Sequence, residues 1–496
     1  MERPKFDPAR ERQLISRGLW RDDTLSAWIA THAQRRARTP ALAWPGGLLT
    51  WAELQDRVLR AAAGLARRGV RRGDVVAVQL PNSPEFVISY LALCRLGAVT
   101  CTLHMPYRQA EVESLTRHAG ARLALCLPER KAMFGERGLD FAELPRDELL
   151  APNHPMPEAA DAFLLLYTSG TTAAPKGVPH PYRTMLCNAR LGAPEHKLDS
   201  RDRILCAAPL SHLYGLYSLH CAWAVGACVV LLPAFSPAEL VSVIEQLKPT
   251  ALWTAPAHVA ACRAAGLFDG RDWSSLKLAI VSGSSAPPEL VKYLKGKLPD
   301  CAVTQLWGMT ELQAGLYTRP SDPIDVSATS SGRPSPGTEV RIAPDGELQV
   351  RGAPVFAAYF DNGGATREAF TDDGWFRSGD LARMDAAGNI AITGRTKDVI
   401  NRGGVKFNPA EVEVLLDSHP KILQSAIVPM PDPILGEKAC AFVTLRSSEK
   451  ISLEELVAYL LEKNIAKNKL PEKLVVVAEM PLTPTRKIIK GQLKLP

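Results

Sequence analysis

Ala162-Phe-Leu-Leu-Leu-Tyr-Thr-Ser-Gly-Thr-Thr-Ala-Ala-Pro-Lys-Gly177 is an apolar run that turns directly into a loop of hydroxyls, glycine and one lysine. The run at 162–167 reads as a strand, and the loop has the chemistry to cradle a polyphosphate. Thr168, Ser169, Thr171 and Thr172 offer hydroxyls, Gly170 and Gly177 expose backbone amides, and Lys176 adds a mobile cation. It is not a Walker loop, which ends in Gly-Lys-Ser/Thr; here Pro175 precedes Lys176 and Gly177 follows it. Taken alone, the same composition suits a solvated surface loop.

Working outward, further apolar runs at 75–79, 251–254, 278–282 and 303–306 alternate with helical patterns. Strand-helix alternation implies a parallel α/β sheet. Several runs end in Gly, Ser, Thr or Pro, as where Ala279-Ile-Val281 gives way to Ser282-Gly-Ser-Ser-Ala-Pro-Pro288, whose prolines suit a first helical turn. Such turns are where α/β folds bind ligands. After about residue 332 short alternating strands and Gly turns take over, including Gly346-Glu-Leu-Gln-Val-Arg-Gly352, and predict a smaller β-rich part. The last hundred residues predict a compact α+β unit, with strands at 425–428 and 439–445 and capping boxes at Asn408-Pro-Ala-Glu411 and Ser452-Leu-Glu-Glu455. The fold class expected is α/β, with a large N-terminal domain over residues 1–395 and a small C-terminal domain over 396–496.

At 496 residues the chain exceeds the roughly 250 to 300 residues that one core supports. The net charge of +7 is spread over 59 basic and 52 acidic residues with no basic run, which favours a small anionic ligand over nucleic acid. The longest apolar stretch, residues 221–235, is interrupted by Gly226 and Pro233 and falls short of the roughly 20 apolar residues of a membrane span. The charged start, Met1-Glu-Arg-Pro-Lys-Phe-Asp7, lacks the apolar core of a signal peptide, so a cytoplasmic location is expected. Ten scattered cysteines match no zinc or redox spacing and read as reduced packing residues.

Thr168-Ser-Gly-Thr-Thr-x-x-Pro-Lys-Gly177 resembles the signature loop of the adenylate-forming superfamily, which holds acyl-CoA synthetases, adenylation domains of peptide synthetases and beetle luciferases. Trp307-Gly-Met-Thr-Glu311, Ser378-Gly-Asp380, Gly394-Arg-Thr-Lys-Asp398, Gly403-Gly404 and Thr483-Pro-Thr-Arg-Lys487 follow in that family's order. The resemblance, strongest to acyl- and aryl-CoA ligases, implies ATP, magnesium and coenzyme A. It assigns Glu311 to magnesium, Thr310 to the α-phosphate, and Trp307 with Gly308 to the adenine side. Asp380 and Arg395 fall at the ribose positions. Lys487 matches the lysine that bridges the acid and the α-phosphate, with Lys490 a fallback three residues on. Arg486 departs from the family, which usually has Gly before this lysine. Lys397 falls at the hinge about which a mobile C-terminal domain swings, and Gly403 with Gly404 on the face offered to the thiol.

For the acid, the resemblance points to Pro209-Leu-Ser-His-Leu-Tyr-Gly-Leu216 and Ser282-Gly-Ser-Ser285, and so to His212, Leu213, Tyr214, Gly215, Ser282, Gly283 and Ser284 as the acyl pocket. Amino-acid-activating relatives carry an aspartate in the first segment; here there is none, which favours a neutral aryl, alicyclic or medium-chain acid. The expected function is an ATP-dependent carboxylic acid:CoA ligase working through acyl-AMP. A freestanding adenylating enzyme that loads a carrier protein's phosphopantetheine shares every motif, and a non-catalytic nucleotide-binding protein shares most.

Overall fold

In a computed structural model of the chain, the described residues are 1–168, 176–446, 450–483 and 488–495. They form four sheets. A six-stranded sheet runs in the order Gly138–Asp140, Leu123–Cys126, Val75–Gln79, Val99–Thr102, Ala162–Thr168, Lys176–Pro181, all parallel except the last pair. A nine-stranded sheet is parallel through its centre, from Pro40–Trp44 to Ala302–Met309, with antiparallel strands at both edges. The central strands are near-continuous apolar runs because helices or the other sheet cover both their faces. Helix Pro84–Leu96 is one such cover. Ser83 caps it by accepting from the Phe86 N–H, Gly97 closes it at φ 68°, and every residue from Phe86 to Leu96 is buried. One continuous core therefore joins both sheets.

The strands expected at 75–79 and 251–254 coincide with Val75–Gln79 and Ala251–Thr254. The run expected at 303–306 extends to Ala302–Met309, because its last residues pair with Gln313–Tyr317 in a hairpin that the apolar pattern does not mark. The β-rich part is a four-stranded antiparallel sheet, Thr338–Ile342, Glu347–Gly352, Phe376–Met384 and Ile390–Arg395. Beyond it a separate sheet, built on the long pair Ile422–Asp432 and Gly436–Leu445, carries helices Ala410–Asp417 and Leu453–Glu462 on its own core. All ten cysteines are free and buried.

The two capping boxes are only half formed. Asn408 accepts from the Ala410 N–H and Ser452 from the Glu455 N–H, but the acids turn away: Glu411 pairs with Lys469, and Glu455 with Lys421 at 2.7 Å. A nearby lysine competes successfully for a carboxylate that would otherwise reach back to one backbone N–H. Asn408 instead spends its amide across the junction, donating to the Thr393 carbonyl at 2.6 Å. Gly394 permits this, since a Cβ there would lie 1.6 Å from the Asn408 side chain.

Candidate active site

Strands Ala162–Thr168 and Lys176–Pro181 place Thr168 opposite Lys176 at the mouth of the hydroxyl-rich loop. Ser169, Gly170, Thr171 and Thr172 lie outside the described residues. Facing this mouth is the tight turn that carries Thr310 and Glu311, between Ala302–Met309 and Gln313–Tyr317. The turn is over-determined. Gln313 sits at φ 67°, a strained region for a side-chain-bearing residue, and a Cβ on Gly308 would fall 1.8 Å from the Gln313 carbonyl oxygen.

Glu311 is 8% exposed. Its Oε1 accepts a 2.8 Å hydrogen bond from the Tyr359 hydroxyl, and its carbonyl accepts from the Phe356 N–H at 2.8 Å. Burial pushes its carboxyl above the ordinary range, opposed by the Tyr359 hydroxyl, its own backbone, Arg395 and Lys176. The Lys176 ammonium stands 5.0 Å over the Tyr359 ring. A lone buried carboxylate beside a cation suits magnesium, which takes one or two protein carboxylates and completes its shell with phosphate oxygens and water. Among the described residues no group of three or more His, Cys, Asp or Glu could hold a metal by itself.

Behind this pair lies a second anionic point. Asp380 accepts from the Trp307 indole N–H on Oδ2 at 2.8 Å and from Arg395 Nε on Oδ1 at 2.7 Å. The antiparallel register that sets Asp380 opposite Arg395 fixes the second contact. A carboxylate has about four acceptor positions, so one on each oxygen remains for a diol.

A cavity opens where the two large sheets meet, lined by Thr102, His104, Tyr107, Leu166, Tyr167, Ser211, His212, Leu213 and Thr310. His104 Nδ1 lies 2.8 Å from Ser211 Oγ, and its ring stacks on that of His212 at 6.1 Å between centroids. Burial lowers the His104 pKa to about 4, so the imidazole is neutral at ordinary pH. Of the seven expected acyl-pocket residues, His212 and Leu213 line this cavity. The other five are not among its lining residues. The Tyr214 hydroxyl donates to the carbonyls of Ile280 and Thr254, and Ser282 Oγ donates to that of Leu306. Gly215 packs against the 209–210 backbone, where a Cβ would meet the Pro209 carbonyl at 2.3 Å; Gly283 turns at φ 95°, and Ser284 is exposed.

Lys397 lies in a single 3-10 turn, Thr396–Asp398, between the four-stranded sheet and strand Ile400–Arg402, and burial lowers its pKa. Gly403 and Gly404 form the turn between Ile400–Arg402 and Val405–Phe407, at φ 60° and 87°. Lys487 lies outside the described residues. Lys490 is held 2.7 Å from Glu413 and 3.8 Å from Asp398.

Sequence reasoning missed Tyr359 and His104, and reached Ser211 only as part of the segment 209–216. Tyr359 is 48 positions from Glu311 and His104 is 107 from Ser211, so no local spacing marks either pair.

Known proteins resemble this chain in sequence and in overall fold. The family model described as AMP-binding enzyme matches residues 29–360, and that described as AMP-binding enzyme C-terminal domain matches 411–487. The medium-chain fatty-acid–CoA ligase of Escherichia coli (strain K12) is 30% identical, covering 99% of this chain and 93% of its own. A feruloyl-CoA synthase from Amycolatopsis sp is 32% identical over 96% of this chain and 99% of its own. Among solved structures, the anthranilate CoA ligase AuaEII in complex with anthranoyl-AMP superposes with a TM-score of 0.88 at 26% identity, covering 95% of this chain and 96% of that one.

Proposed function

The chain belongs to the AMP-binding enzyme family, and from that premise we propose that it is an ATP-dependent carboxylic acid:coenzyme A ligase acting on a neutral aryl, alicyclic or medium-chain acid. One observation carries the reading. Thr310 stands in the same turn as Glu311, next to the Tyr359–Lys176 pair, and also lines the cavity that holds His212 and Leu213. Nucleotide chemistry and an acid pocket thus meet at one residue.

In the first half-reaction a carboxylate oxygen of the acid attacks the α-phosphorus, the α–β bridge breaks, and pyrophosphate leaves with the bond's electrons. Asp380 and Arg395 hold the ribose, Trp307 flanks the adenine side, and Thr310 contacts the α-phosphate. Charge grows on the carboxylate and phosphate oxygens, and the Lys487 ammonium stabilises it. Glu311 would hold magnesium, which would supply charge neutralisation to the phosphates. In the second half-reaction the coenzyme A thiol attacks the acyl carbonyl carbon, loses its proton, and expels AMP. The turn at Gly403-Gly404 leaves room for a thin thiol arm, with Lys397 at the pivot that brings it round.

Neutrality of the acid is supported by the cavity wall, where His104, Ser211, Thr102 and Tyr107 are polar but carry no charge to pair with a second carboxylate or an ammonium. Relatives that by their names act on medium-chain fatty acids, ferulate and anthranilate fit the same range, whereas those named for sulfoacetate and o-succinylbenzoate act on acids with a second anionic group.

The test is a panel of acids in two assays. Acid-dependent exchange of pyrophosphate into ATP reads the first half-reaction, and acid- and coenzyme A-dependent AMP release reads both. The reading expects both signals with the same acids. No exchange with any acid would favour a nucleotide-binding role, and exchange without coenzyme A-dependent turnover would transfer the acyl group to a carrier protein instead.

A further inference from the structure

Five residues, 356–360, touch both halves of the phosphate site. The Phe356 N–H donates to the Glu311 carbonyl at 2.8 Å, and the Phe360 N–H donates to the Gly177 carbonyl at 2.8 Å. Between these backbone ties stands Tyr359, 8% exposed, its N–H donating to Thr366 Oγ1 at 3.0 Å and its ring packed on Phe356 with centroids 4.8 Å apart. Its hydroxyl bonds Glu311 Oε1 at 2.8 Å while its ring face lies 5.0 Å from the Lys176 ammonium.

We infer that Tyr359 is a positioning residue for adenylation, with its hydroxyl aiming the Glu311 carboxylate at magnesium and its ring setting Lys176 over the phosphates. The inference rests on the proposed adenylating function. Glu311 has two oxygens, and the tyrosine takes one acceptor position on Oε1, which fixes the carboxylate's rotation and leaves Oε2 for the metal. The ring acts separately. An aromatic face attracts an ammonium, so the ring holds Lys176 in place beside the phosphate loop.

The two functions of one side chain separate in two variants. Tyr359→Phe keeps the ring and removes the hydroxyl; Tyr359→Leu removes both. Binding of α,β-methylene-ATP without metal is measured by calorimetry, and binding of Mn²⁺ to the analogue complex by electron paramagnetic resonance. Tyr359→Phe is expected to weaken Mn²⁺ about tenfold, as loss of a partner to a ligating carboxylate typically does, with metal-free analogue binding within about twofold of wild type. Half-saturating magnesium in the exchange assay rises in parallel. Tyr359→Leu weakens the metal equally and the metal-free analogue about fivefold more than the phenylalanine variant does. Wild-type Mn²⁺ affinity in Tyr359→Phe, or equal loss of metal and nucleotide in both variants, overturns the inference and leaves Tyr359 a packing residue. A wild-type protein that binds neither analogue nor Mn²⁺ overturns the adenylating function itself, and the inference with it.

Discussion

The indole N–H of Trp307 donates to Oδ2 of Asp380 at 2.8 Å, so the ring proposed for the adenine side and the carboxylate proposed for the ribose form one unit. Trp307 thereby does more than offer a surface for stacking. Trp307→Phe retains an aromatic face but frees Oδ2 to rotate, leaving Asp380 held only by Arg395. A hydrogen bond to a charged group contributes about 1.5 to 3 kcal/mol, so ATP binding should weaken by roughly tenfold or more. The acid's KM should hardly move. Discrimination between ATP and 2′-deoxy-ATP should also shrink, because a loosened carboxylate reads the diol less strictly. Steady-state kinetics with both nucleotides checks this; an unchanged ratio between them would separate Trp307 from ribose recognition.

If Lys487 acts as proposed, with its charge serving only the first transition state, Lys487→Ala should reduce adenylate formation about a hundredfold or more while leaving thioester formation from supplied acyl-AMP within a few-fold. Lys490→Ala should behave differently. Its ammonium is committed to Glu413 and Asp398 within the C-terminal region. Adenylation in that variant is expected to stay within a few-fold of wild type. Single-turnover assays of each half-reaction decide the matter, and a larger first-half defect from Lys490→Ala would move the catalytic lysine by three residues.

Asp417 provides a pH test. Burial pushes its carboxyl up to about 6, helped by Glu413 and opposed by the Ser425 hydroxyl, which donates to it at 2.7 Å, and by Arg446. The folded pKa exceeds the unfolded value of about 3.9, so the folded state binds the proton more tightly. Its contribution is therefore most favourable below pH 4 and is lost as pH rises through 6, at a cost on the order of 3 kcal/mol. Asp417→Asn keeps an acceptor for Ser425 and removes the charge. The variant should melt a few degrees above wild type at pH 8 and equal it near pH 4. A stability difference independent of pH between 4 and 8 would contradict this.

What could be read from the sequence follows from the range of each interaction. Val75–Gln79 and Ala251–Thr254 were legible because a buried parallel strand writes its own continuous apolar run. The two capping boxes looked equally plain but were decided by Lys469 and Lys421, distant cations that a four-residue pattern cannot include. The site divides likewise. Thr310, Glu311, Asp380 and Arg395 stand in short motifs, and the fold sets Arg395 on Asp380 and within electrostatic reach of Glu311. Tyr359 and His104 meet their partners only through the packing of separate elements. At the acyl pocket the motif supplied candidates but not orientations: Tyr214 satisfies its hydroxyl on two backbone carbonyls, while His104 enters the cavity from a strand end that no motif marked.

The acid preference is the last and most specific expectation. Gly283 is a poor position to probe, since its φ of 95° would strain any side chain and mix that cost with pocket filling. His104 is better placed. Its Nδ1 is tied to Ser211, its ring stacks on His212, and it is neutral because burial lowers its pKa to about 4. His104 thus offers the wall hydrogen bonding without charge. Related neutral acids should fall within roughly two orders of magnitude in kcat/KM, since one methylene changes discrimination by only about 1 to 3 kcal/mol. Amino acids and dicarboxylates should be far worse, because a second charge would be buried unpaired. His104→Leu replaces a polar wall with an apolar one, leaving Ser211 Oγ without its partner. It should lower kcat/KM for hydroxylated acids about tenfold relative to their unsubstituted counterparts, with the KM for ATP within about twofold because the nucleotide groups are untouched. Competition assays with matched pairs of acids measure the ratio directly. A wild-type preference for an amino acid or diacid, or a His104→Leu variant that changes ATP affinity but not the ranking of acids, would place the acyl group elsewhere than in this cavity.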